Sequence, residues 1–70
     1  EERQQIRQAL EKLPSEQRKA VILRYFSELT VPEVAKVLSE REGTVKSRLS
    51  RALDRLGEIL RRDREGEVGR

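Results

Sequence analysis

Seventy residues, 34% apolar and 41% charged, with Tyr25 and Phe26 the sole aromatics, allow one domain with a thin core, close to the size at which burial barely offsets chain entropy. The absence of cysteine and histidine excludes disulfides, thiolate metal sites and imidazole catalysis, and the longest apolar run, Ala20 to Leu23, is far short of a membrane span. The net charge of +3 is unevenly placed: residues 1–40 carry seven basic and seven acidic side chains, residues 41–62 seven and three, and residues 63–70 two and three.

High charge and low hydropathy are the usual signature of disorder, but here the apolar residues recur at helical spacing. Ile6, Ala9, Leu10 and Leu13 mark one face of a first helix over residues 1–12, which Pro14 ends or redirects. Ser15 and Glu16 open a second helix through Phe26, bearing Val21, Ile22, Tyr25 and Phe26, and Ser27, Glu28 and Leu29 connect it to the next. Thr30 and Glu33 form a capping box around Val31 and Pro32, so a third helix starts there and runs to Leu38, with Val31, Val34, Ala35 and Leu38 on one face. Ala35 is small enough for two helices to cross closely. After a break at Ser39, Glu40 and Arg41, the last helix begins at Glu42 and carries Val45, Leu49, Ala52, Leu53, Leu56 and Leu60 as its apolar stripe.

No stretch alternates with period two, so the expected architecture is all-α: a small four-helix domain with a C-terminal helix-turn-helix over residues 1–62. From Asp63 the sequence DREGEVGR has two glycines and no periodicity, as expected of a frayed tail. The chain opens at Glu1 rather than methionine, as a piece of a longer protein would, and shows no signal-peptide pattern, so the cytoplasm is the expected compartment.

The basic excess lies on the last helix, where Lys46, Ser47, Ser50, Arg51 and Arg55 oppose the apolar stripe. In a helix-turn-helix the first half of the second helix enters the major groove, while phosphates are held by basic side chains, hydroxyls and backbone N–H groups around it. These side chains therefore suit DNA contact. Arg48 has two readings, one as a phosphate contact and one as a strut to Glu33 of the preceding helix. No phosphate-binding glycine loop, metal-spaced cluster or pocket carboxylate is present, so neither an enzyme nor a cofactor is expected.

Leu13-Pro14, Leu23-Arg24-Tyr25, Glu33-Val34-Ala35 and above all Gly43-Thr44-Val45-Lys46-Ser47-Arg48-Leu49 followed by Arg51-Ala52 resemble region 4 of bacterial sigma factors, most of all the extracytoplasmic-function group. The resemblance covers about 45 of the 70 residues. It implies a transcription factor domain that binds double-stranded DNA at the promoter minus-35 element and docks on the beta-subunit flap of the RNA polymerase core, and it leaves room for an anti-sigma factor. The candidate DNA-binding residues are then Arg24, Thr30, Gly43, Thr44, Lys46, Ser47, Arg48, Ser50 and Arg51, with Lys46 and Arg51 reading bases and Arg24, Thr30 and Ser47 contacting the backbone. The chain departs from the family at the turn, where glycine, an apolar residue and serine are replaced by Ser39, Glu40 and Arg41.

Two alternatives stay open. A response-regulator-type DNA-binding domain shares a Thr-Val-Lys core in its recognition helix, although Ser47-Arg48 and Arg51-Ala52 fit it less well. A helical protein-interaction module would arise if Ser39 and Glu42 capped in place of a turn, so that residues 31–62 approached one long helix suited to a coiled coil.

Overall fold

The structure, a computed structural model, describes the backbone of residues 2–68 and the side chains of residues 4–62. Among the described residues there are α-helices α1 (Glu2–Glu11), α2 (Ser15–Val21), α3 (Val31–Leu38) and α4 (Glu42–Val68), a π-helical segment (Ile22–Phe26), and no strand. The all-α, four-helix expectation is met, and no described helix is long and apolar enough to cross a membrane.

The end of α1 tightens: the Lys12 and Leu13 N–H groups donate to the Ala9 and Leu10 carbonyls, both at 3.0 Å, and the Arg18 guanidinium donates to the Glu11 carbonyl at 3.3 Å. Pro14, extended at φ −56° and ψ 149°, is the residue before α2, so Ser15 lies inside the helix and does not cap it. The expected single helix through Phe26 is instead α-helical only to Val21. The Ser27 N–H then donates to the Ile22 carbonyl, five residues back at 2.9 Å, and the Leu29 N–H to the Leu23 carbonyl at 3.1 Å. A π-turn is wider than an α-turn, and it rotates the expected apolar face. Ala20 and Val21 are buried and Leu23 packs against the core, whereas Ile22, Tyr25 and Phe26 are 39%, 48% and 59% exposed.

The capping box at α3 is present. The Glu33 N–H donates to Thr30 Oγ1 at 3.3 Å and the Thr30 N–H to Glu33 Oε1 at 2.8 Å, with Thr30 itself extended at φ −74° and ψ 164°. At the other end, Ser39 adopts φ 56° and ψ 44°. The Glu40 N–H donates to the Ala35 carbonyl at 2.9 Å and the Ser39 N–H to the Lys36 carbonyl at 3.2 Å. These are the two bonds of a Schellman motif, built with serine at the left-handed position. The chain therefore breaks between α3 and α4, and residues 31–62 do not form one continuous helix.

Helix α4 packs against α1, α2 and α3. Val45, Leu49 and Ala52 are buried, with Leu56 and Ile59 against the same core, which also holds Leu10, Leu13, Ala20, Val21, Val34 and Ala35. The stripe thus differs from expectation at two positions. Leu53 is 45% exposed, because the spacing 45, 49, 52, 56 and 59 centres the buried face well away from it, and Ile59 packs against the core where Leu60 was expected. The backbone stays helical to Val68, past the point where a frayed tail was expected from Asp63. The side chains of residues 63–68, and residues 69 and 70 entirely, lie outside the described residues.

Candidate nucleic-acid interface

The first turns of α4 present a face built by default: with Val45, Leu49 and Ala52 committed to the core, all the residues between them except Arg48 point outward. Lys46, Ser47, Ser50 and Arg51 are all exposed. Among the described residues none of the four has an ion-pair or side-chain hydrogen-bond partner. Lys46 and Arg51 lie about 140° apart around the helix, with Ser47 and Ser50 between them. Further along, Asp54 and Glu58 share this side and line a shallow depression with Gln17, Arg51 and Arg55. Acidic groups there disfavour phosphate, so the face suited to an anionic duplex is confined to the start of the helix.

Gly43 and Thr44 sit in the first turn of α4, which opens where the Val45 N–H donates to the Arg41 carbonyl at 3.0 Å. Arginine has no side-chain acceptor and cannot cap, while Glu42 places a favourable negative charge in this turn. A Cβ at Gly43 would meet nothing within 4 Å. Neither its backbone conformation nor the packing of this chain requires glycine there.

The remaining candidates are already engaged. Thr30 Oγ1 accepts the Glu33 N–H, yet its own hydroxyl proton is left to donate. Arg24 lies in the π-helical segment, half-buried, with its guanidinium donating to the Leu29 carbonyl at 3.2 Å and lying 5.3 Å from the centre of the Tyr25 ring. It fastens the connection that leads into α3. Arg48 does not reach toward the outward face. Its side chain is 23% exposed, with Nη2 3.3 Å from Glu40 Oε2 and Nη1 3.8 Å from Glu16 Oε1. The strut expected to Glu33 is absent, because that carboxylate closes the capping box. Glu40 and Glu16 were missed in the sequence, although a carboxylate in the turn where an apolar residue was expected was itself a signal that a cation lies nearby.

Comparison with known proteins places these residues in context. The sequence profile for "Sigma-70, region 4" matches residues 3–56. The RNA polymerase sigma factor SigV of Bacillus subtilis (strain 168) is 42% identical over 48 residues, 69% of this chain and 29% of that protein. The ECF RNA polymerase sigma factor SigW of the same organism is 38% identical over 56 residues, 80% of this chain and 30% of that protein. The ECF RNA polymerase sigma factor SigM of Mycobacterium tuberculosis (strain ATCC 25618 / H37Rv) is 42% identical over 55 residues, 79% and 28% respectively. The chain therefore spans about three tenths of the length of the curated relatives it matches.

Proposed function

Because the chain belongs to the sigma-70 region 4 family, we propose that it is the DNA-binding domain of an RNA polymerase sigma factor, and that it recognises the promoter minus-35 element. The observation that carries this reading is the exposed group Lys46, Ser47, Ser50 and Arg51, without partners among the described residues, on the first turns of a helix that follows a capped helix and a Schellman turn. Lys46 and Arg51 read base edges, Ser47 and Ser50 donate to bases or phosphates, and the Thr30 hydroxyl and the Gly43 and Thr44 backbone approach phosphates. Arg24 approaches the DNA backbone only with the part of its guanidinium not holding Leu29. Arg48, turned toward two carboxylates, is left out of the contact set.

The polymerase side of the proposal rests on a second surface. Ile6, Leu10, Ile22 and Phe26, with Arg7, line an apolar groove between α1 and the π-helical segment. This groove suits the flap of the beta subunit. A flap fragment is expected to shift the backbone resonances of residues 6–26, and no shift there would reject this face.

Selection of bound duplexes from a random pool, followed by affinity measurements at several salt concentrations, tests the DNA reading. Arg51→Ala is expected to cost about 1 to 3 kcal/mol on the selected site and much less on random duplex. An equal loss on every sequence would make Arg51 a phosphate contact and move base reading toward Lys46 and Ser47.

A further inference from the structure

We infer that Arg48 is a positioning residue: clasped between Glu40 of the turn and Glu16 of α2, it sets the pose in which α4 presents its outward face, and so contributes to base discrimination without touching DNA. The inference rests on the DNA-binding reading.

Three observations carry it. The two ionic contacts of Arg48 run to different bodies, one to the turn that ends α3 and one to the first turn of α2, so a single side chain links α4 to both. The Nη1 atom is buried and has no hydrogen-bond partner. At 3.8 Å its link to Glu16 Oε1 is a charge-to-charge attraction and not a hydrogen bond, so this buried nitrogen depends on the carboxylates around it. Finally, Glu40 occupies the position of a Schellman motif that ordinarily makes an apolar contact with the last turn of its helix. The residue it would meet is Ala35, and a carboxylate cannot make that contact. What the turn lacks in apolar packing, the ion pair to Arg48 supplies. Arg48 lies one residue from Ser47 and three from Arg51, so a change in its tether rotates or tilts the reading face itself.

Glu40→Gln separates this role from a simple electrostatic one. Removing a negative charge near DNA strengthens binding to random duplex. Loss of the clasp is expected to lower the ratio of selected-site to random affinity by about two- to fivefold, the scale of a partly exposed ion pair. Arg48→Met, which keeps the aliphatic stem, is expected to lower the same ratio with the slope of affinity against salt unchanged. The double variant Glu40→Gln with Arg48→Met is expected to be no worse than Arg48→Met alone. An unchanged ratio in Glu40→Gln, or additive losses in the double variant, would overturn the clasp. A salt slope reduced by about one unit in Arg48→Met would make Arg48 a phosphate contact instead. Glu40 is exposed, so its variant folds even if Arg48→Met does not. The wild-type ratio is measured first: a wild type with no preference for any duplex overturns the DNA reading, whereas a wild type with preference and an unaltered Glu40→Gln overturns the clasp alone.

Discussion

At the scale of single residues, Ser39 and Gly43 each carry a cost that the fold of this chain does not require. Ser39 sits at φ 56°, where a side chain meets its own backbone and glycine does not. Ser39→Gly is expected to stabilise the domain by about 1 kcal/mol, raising the melting temperature by about 4 to 8 °C for a chain of this size. Gly43 is the opposite case. It has open space around it and no left-handed backbone, so alanine fits and favours the helix. Gly43→Ala should stabilise by up to about 1 kcal/mol and at the same time weaken binding to all duplexes, if its backbone approaches a phosphate. Melting and binding curves on one variant check both halves. The left-handed turn position was legible because glycine was expected there. Of the two readings of Arg48, the strut to Glu33 is not realised, because that carboxylate already serves the Thr30 N–H at 2.8 Å.

At the scale of elements, the two ends of α3 fall where the local chemistry puts them, but the buried faces obey the hydrogen-bond pitch, which spacing alone does not show. The capping box at Thr30 and the break at Ser39 were readable because each depends on neighbours in sequence. The π-helical segment was not, since its turn is set by packing of Leu23 and Leu29 against the core and leaves no signature in the apolar pattern. The consequence is a reversal of expected sensitivities. Leu23→Ala should cost about 2 kcal/mol of folding stability, while Phe26→Ala, despite the larger side chain, should cost less than about 1. Likewise Ile59→Ala should destabilise more than Leu53→Ala. Urea denaturation of the four variants measures these differences directly, and a Phe26 variant weaker than its Leu23 counterpart would mean that the segment is α-helical in solution.

At the scale of the whole molecule, the order and number of helices followed from period and caps, whereas the reach of α4 did not. Beyond residue 62 the apolar pattern stops, yet the backbone remains helical to Val68, as residues such as Arg64, Glu65 and Glu67 favour by intrinsic propensity. That same helix both presents the candidate reading face and touches α1, α2 and α3, and none of these three helices is long enough to be stable by itself. Its double duty has a consequence for how the domain opens. If α4 cannot detach without dissolving the core, the chain has no partly unfolded form that keeps the rest intact, and a duplex held at α4 protects amides it never approaches. Saturating the domain at one hundred times the dissociation constant should then slow hydrogen exchange of buried amides in α1, α2 and α3 by the same factor, about a hundredfold, as in α4. The same linkage would make the DNA-free domain the form that proteases cut, so occupancy of the proposed binding site would set how long the domain lasts.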